Sequence, residues 1–255
     1  MLRLIPPIEF GSSLPTGAGK EAVATLGRMV ANDVYPQGEL MPTEPELAKL
    51  LGVSRTTIRD AIKVLSGKGM IRTARRYGTR VRPVEEWNLL DADVAAWHDP
   101  AHPRLRLMFT ETTELRCILE PAAAELAAVR ATETQVRTIL DAARCLDPGS
   151  TDMQALFSAD CTFHATILDA TGNLMMRQMR PIILTMLRIS YEVGVTEHSP
   201  AMINRAGHIR VGEAISARDA PAARKAMQQM LDHNRSSASS ERSGLLSSLR
   251  QSGGS

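Results

Sequence analysis

Aromatic residues are scarce, at 4% of the 255 positions, and cysteine is nearly absent, with three residues. Cys117, Cys145 and Cys161 are an odd number without a CxxC spacing. That argues against a disulfide framework and makes a reduced, cytoplasmic protein the expectation. No run of about 18 uninterrupted apolar residues exists, which excludes a transmembrane helix. The opening Met1-Leu2-Arg3-Leu4-Ile5-Pro6-Pro7 breaks on prolines at once and lacks the apolar stretch of a secretory signal. Net charge is also small, +2. What the chain does have is Ala, Leu, Met and Arg in abundance, a helical vocabulary, and length enough for one large or two modest domains.

The small net charge hides an asymmetry. Residues 19–82 carry twelve Lys and Arg against six Asp and Glu, whereas 83–255 carry 17 against 21. Between 54 and 82 nine basic residues face Asp60 alone. A basic module joined to a mildly acidic one suggests a polyanion partner for the first, with a solvated basic face as the alternative on charge alone.

Within this module, Ala24, Leu26, Val30 and Val34 predict a helix over about 19–34, ended by Pro36-Gln37-Gly38. Thr43-Glu44-Pro45-Glu46 reads as a capping box, with Leu47, Leu50 and Leu51 on the buried side and Gly52 as the stop. Ser54 caps a second helix whose inward residues are Ile58, Ile62 and Leu65. Two short helices around Gly52-Val53-Ser54 have the dimensions of a helix-turn-helix. The outward side of the second helix carries Arg55, Thr56, Arg59 and Lys63, near the end that a recognition helix presents to the major groove. Guanidinium groups there can bind phosphate or take a guanine edge through two parallel hydrogen bonds. Met70–Thr73 and Thr79–Arg82 then alternate as two strands around Arg75, Arg76, Tyr77 and Gly78, a basic wing suited to phosphate or minor-groove contact. Helix-turn-helix and basic wing together favour DNA over an RNA-binding or protein-docking winged helix.

The segments Leu40–Ala48, Gly52–Ala61 and Gly78–Val81 resemble the N-terminal domain of GntR-family bacterial repressors. The resemblance implies that Arg55, Arg59, Arg75 and Arg76 contact DNA. Pro45 stands where that family usually has an arginine, so the resemblance does not extend to the phosphate contact that arginine makes.

A joint follows at 83–103. Both tryptophans, Trp87 and Trp97, fall in it with Leu89, Leu90 and Val94 between them, and packing against both flanking domains is the expected role rather than ligand stacking. Beyond Pro103 the pattern predicts helices over about 104–130, 132–146, 152–171, 173–193, 202–217 and 219–238, hence a helical bundle. The fold class is therefore mainly α. It comprises an N-terminal arm (1–18), a winged helix-turn-helix (19–82), the linker, an all-α domain (104–238) that binds effector and dimerises, and a disordered Ser- and Gly-rich tail (239–255).

Several polar residues occupy bundle positions that should be apolar. Asp160 and His164 share a helix face flanked by Phe157, Cys161, Phe163 and Ile167; His208 opens an amphipathic helix, and Arg116 lies inside the long first one. Each could be a satisfied buried group. An Asp-x-x-x-His pair with a distant His also suits a divalent zinc, manganese or nickel ion. Residues 105–235 resemble the FCD domain of the FadR-type GntR subgroup, whose metal-binding members supply an Asp, a His four residues on, and two later His. Asp160, His164 and His208 match the first three ligands; Met230 stands at the fourth and is a poor one, with His233 a turn beyond.

Trp87–Trp97 is similar to the segment found in galactonate-operon repressors and related sugar-acid sensors. That resemblance implies a sugar acid such as D-galactonate as effector. Arg116 could then pair with its carboxylate, Asp160, His164 and His208 could hold its hydroxyls directly or through a metal, and Arg188 is a second candidate carboxylate partner, with a solvated surface residue as the alternative reading. A dimeric, non-enzymatic repressor on a palindromic operator follows. A metal-dependent hydrolase or lyase, and a constitutive DNA-binding protein without effector, are the alternatives.

Overall fold

A computed structural model of the chain describes residues 17–196 and 204–232; the N-terminal arm before 17, His233 and the tail lie outside the described residues. The described chain divides into two compact units, 17–102 and 103–232.

Up to residue 82 the first unit packs three helices and a hairpin. Helix α1 (Ala18–Ala31) is followed by α2 (Glu44–Leu51), α3 (Arg55–Gly67) and strands β1 (Ile71–Ala74) and β2 (Gly78–Val81). Val23, Leu26, Leu47, Ile58, Leu65, Met70 and Ile71 form its core. Each such burial is worth about 1.5–3 kcal/mol. Glu46 accepts from the backbone N–H of Thr43 at 2.7 Å and from its hydroxyl at 2.8 Å, and the Ser54 hydroxyl accepts from Thr57 N–H at 3.0 Å, so both predicted caps form.

Two details depart from the periodicity. Helix α1 stops three residues short of Val34, because Asp33 turns left-handed (φ 56°) and Asn32 donates to the carbonyl oxygens of Arg28 and Trp97; Val34 is left exposed. Leu50 also faces solvent; Leu47 and Ala48, with the partly buried Leu51 packed beside them, supply the buried side of α2.

Strands β1 and β2 are antiparallel, with Ile71 opposite Val81 and Arg72 opposite Arg80. Residues 38–41 extend this ladder at its edge: Leu40 bridges Arg80, and Met41 N–H donates to Thr79 O at 2.8 Å. Residues 83–102 fold back onto the same unit through a 3₁₀ turn (Val84–Glu86) and helix α4 (Ala92–Ala96), burying Trp87, Val94 and Trp97 in its core.

The second unit is helical throughout its described residues. Helices α5 (Pro103–Arg130), α6 (Glu133–Cys145), α7 (Met153–Ala170), α8 (Leu174–Gln178), α9 (Arg180–Thr196) and α10 (Arg205–Ser216) are followed by a helix, α11, over 220–232. The single helix expected over 173–193 is two, separated at Met179, because Pro181 has no N–H to continue a helix and belongs in a first turn. Helix α7 is central, packing against α5, α6 and α9, and buries Phe157, Cys161, Phe163 and Ile167 around Asp160 and His164. No helix among the described residues is long and apolar enough to cross a membrane.

Candidate functional site

The DNA-facing candidates lie on one exposed set of surfaces in the first unit. Arg55, Thr56, Arg59 and Lys63 are all exposed on α3. Arg59 is not idle: its Nη2 donates to Glu44 Oε2 at 2.8 Å, while Lys63 pairs with Asp60 at 3.0 Å. Both pairs are solvent-exposed and hold these cations only loosely.

At the wing tip Arg75, Arg76, Tyr77 and Gly78 are exposed, with Arg76 left-handed at φ 72°. Arg72 and Arg80, which sequence patterning did not single out, stand directly opposite each other across the hairpin. Like charges so placed destabilise a ladder unless an anion lies between them. Alternation of strand residues was the signal that could have paired them.

In the second unit Asp160 and His164 (α7) meet His208 (first turn of α10), with one ligand atom of each within 4.8 Å of the others. His208 Nδ1 donates to the Asn204 carbonyl at 2.8 Å, which turns Nε2 toward Asp160 Oδ1, 3.0 Å away. His164 is held the same way: Nδ1 lies against Glu120 Oε2 and Nε2 faces Asp160 Oδ1 at 3.3 Å. Arg116 completes the group, its Nε donating to Glu120 Oε1 at 2.6 Å and its Nη2 3.2 Å from His164 Nε2. Phe163, fully buried, stacks edge-on against both imidazoles, with centroids at 5.1 and 4.7 Å. Arg188 is buried on α9, and Tyr191 on the same helix meets Phe157 at 5.2 Å.

Burial alone would discharge these groups, yet their neighbours reverse its effect. For Glu120 burial disfavours the carboxylate, but Arg116 and His164 hold its pKa down to about 2. Burial likewise opposes a charged His164, and Glu120 and Asp160 lift it to about 9. Asp160 is held well below the carboxylate range by hydrogen bonds from His164 and His208, against the same penalty. The thiol of Cys161 and the phenol of Tyr191 are pushed up chiefly by burial, then by the Asp160 charge, and stay neutral.

Glu120 is the residue that sequence reading missed. It lies one turn from Arg116 on a helix whose charged residues are spread around its circumference, so no amphipathic face marked it.

The donor set suits a divalent cation. One carboxylate and two imidazoles converge, and each imidazole is oriented by an outer hydrogen-bond acceptor, Glu120 or the Asn204 carbonyl, as metal-binding histidines usually are. Met230, buried beside α10, offers only a soft thioether.

Comparison with known proteins places this architecture. The profile of bacterial regulatory proteins of the gntR family matches residues 18–81, and that of the FCD domain matches 111–233. The Galactonate operon transcriptional repressor of Escherichia coli K12 is 30% identical over 214 residues, covering 82% of this chain and 91% of its own. This chain belongs to the GntR family of bacterial regulators, in its FCD-containing branch. The Uxu operon transcriptional regulator of the same organism is 27% identical, covering 84% of each chain. NanR of Citrobacter rodentium, a transcriptional repressor, is 27% identical over 81% of this chain and 80% of its own. Among solved structures, Lar, which controls expression of the Listeria monocytogenes agr system, shares the fold with a TM-score of 0.62 at 18% identity, over 88% of this chain and 97% of its own. As a GntR and FCD protein the chain is a transcriptional repressor rather than an enzyme, and GntR regulators bind operator DNA and small effectors, typically as dimers.

Proposed function

We propose that the chain represses transcription as a homodimer on a palindromic operator and is released by a small carboxylate, a sugar acid such as D-galactonate. Arg55, Thr56, Arg59 and Lys63 would enter the major groove, while Arg75, Arg76, Tyr77 and Gly78 would follow the backbone or minor groove beside it. Two-fold protein symmetry would be mirrored in the two half-sites. The outward side of α5 exposes Leu107, Leu115, Ile118 and Val129, the apolar surface we assign to the second copy.

The observation that carries the effector reading is the buried polar cluster of the bundle. Arg116, Asp160, His164 and His208, with Arg188 on α9, offer positive donors to a carboxylate and mixed donors and acceptors to hydroxyls. Glu120 already engages Arg116 Nε, so an effector carboxylate would be met by the remaining guanidinium nitrogens. The identity of the Galactonate operon relative supports a sugar acid over other carboxylates. Asp160, His164 and His208 would hold a divalent zinc, manganese or nickel ion, which would supply a Lewis-acid anchor for effector oxygens. Whichever way the cluster is filled, the effector must prefer the arrangement that does not bind the operator.

Thermal unfolding of the purified protein against D-galactonate, gluconate, 2-keto-3-deoxy acids, lactate and fatty acids, with and without prior chelation, tests this reading. A selective rise in Tm for one sugar acid is the expected result, equivalent to about 2.7 kcal/mol at a hundredfold excess over Kd. Its loss in Arg116→Ala would support the pocket, and its loss on chelation would establish the metal. No shift with any sugar acid would favour a constitutive DNA-binding protein and defeat the proposal.

A further inference from the structure

The most deeply buried lysine of the first unit has no part in the DNA-facing surface. Lys68 caps the C-terminal end of α3 and is only 6% exposed. Its Nζ lies 2.7 and 2.8 Å from the two oxygens of Asp91 and 3.0 Å from Asp93 Oδ2, and it stands 5.7 Å from the Trp97 ring centroid. Asp91 is itself tied down, since its Oδ1 accepts from the backbone N–H groups of Asp93 and Val94 at the start of α4. The Lys68 carbonyl accepts from Asn88 N–H at 2.9 Å.

Two glycines make room for this seating. A Cβ on Gly27 of α1 would lie 2.3 Å from the Trp97 ring, and one on Gly69, which is left-handed (φ 78°), would lie 2.2 Å from the Glu86 carbonyl oxygen. Residues 83–102 are thus pressed against α1 and the end of α3, with a buried cation between two anions fixing them there. A desolvated ion triad of this kind gives a definite register more readily than it gives net stability.

We propose that Lys68, with Asp91 and Asp93, is the positioning device of the repressor, fixing residues 83–102 to the recognition helix so that 17–102 is a single body. This inference rests on the reading of the chain as a dimeric operator-binding repressor. All covalent transmission between α3 and α5 passes through 83–102, which runs directly into Pro103. A seated segment presents each winged unit to its half-site with a fixed orientation. A loose one lets it swivel, and the advantage of binding two half-sites together falls because the effective concentration of the second unit falls.

The test measures full-length protein on two duplexes: one selected from random sequence by the wild-type protein and carrying both half-sites, and the same duplex with one half-site scrambled. Lys68→Met, which keeps the length of the stem, is expected to weaken two-site binding about tenfold while half-site binding stays within about twofold. Hydrogen exchange at 87–97 should quicken without loss of protection in α1–α3. Asp91→Asn with Asp93→Asn preserves the cap but strands the lysine charge, and should lose more than Lys68→Met; the triple variant should return to the Lys68→Met level. Equal loss on both duplexes would show that Lys68 only holds the winged unit together, and no loss on either would show that the triad positions nothing; each overturns the proposal. A wild-type protein that binds both duplexes alike would overturn the dimeric reading and this inference with it, and is distinguishable because the failure appears before any substitution.

Discussion

Apart from the Lys68 triad, the two units handle charge in opposite ways. In the winged unit the cations of α3 and the wing are exposed, and their ion pairs, Arg59 with Glu44 and Lys63 with Asp60, sit in solvent. In the bundle Arg116, Glu120, Asp160 and His164 are buried together, each holding its neighbours charged. Exposed charges cost little to leave unpaired, are screened by salt, and are readily handed to a polyanion. Buried ones are fixed in number and direction, which suits recognition of one small polar molecule. On the proposed reading the contrast separates two roles: a surface that trades partners, and an interior that selects one.

Breaking a buried partner should therefore have the largest effect. Glu120→Gln leaves Arg116 and His164 facing each other without their carboxylate, and urea titration should show a loss of about 3–5 kcal/mol. A loss below about 1 kcal/mol would mean that the cluster is not a closed ion network. Next in size is DNA binding. Arg55→Ala or Arg59→Ala should weaken operator affinity by about 1–3 kcal/mol if either reads a base, whereas Arg75→Ala should act alike on all sequences and flatten the salt dependence. Wild-type affinity for both α3 variants in gel-shift titrations would refute the recognition-helix assignment.

A smaller effect, graded with pH, belongs to the interior of chelated protein. His164 is raised from 6.5 to about 9, so the stability it confers is complete below about pH 6.5 and is lost as pH rises through 9. Glu120 is lowered from 4.5 to about 2, so its contribution is present above about pH 4.5 and is lost as pH falls through 2. The Tm advantage of wild type over His164→Gln should accordingly shrink between pH 6.5 and 9; an advantage constant over that range would contradict the assigned proton. Smallest of all, Glu44→Ala frees an exposed arginine and should change stability by no more than about 1 kcal/mol.

Much of this was legible in the sequence, for identifiable reasons. Caps write themselves in two or three adjacent residues, so Thr43–Glu46 and Ser54 marked α2 and α3, and the nine basic residues of 54–82 marked the wing and its helix. Asp160 and His164 were visible because four-residue spacing places them on one face. Contacts across long separations were not. Lys68 meets Asp91 and Asp93 after 23 and 25 residues, and nothing in either segment alone names the other. Glu120 was hidden among the charged residues spread around α5, none of which marks a buried face. Pro181, which cannot continue a helix, marks the break between α8 and α9 within the 173–193 apolar pattern.

The most direct test of the account is the anisotropy of a fluorescent two-half-site operator duplex bound by the full-length protein, titrated with D-galactonate and other sugar acids. Release by one sugar acid from wild type, with Arg116→Ala still bound to the duplex but unresponsive, is the predicted result. A complex that no sugar acid dissociates, in metal-loaded and chelated protein alike, would contradict it.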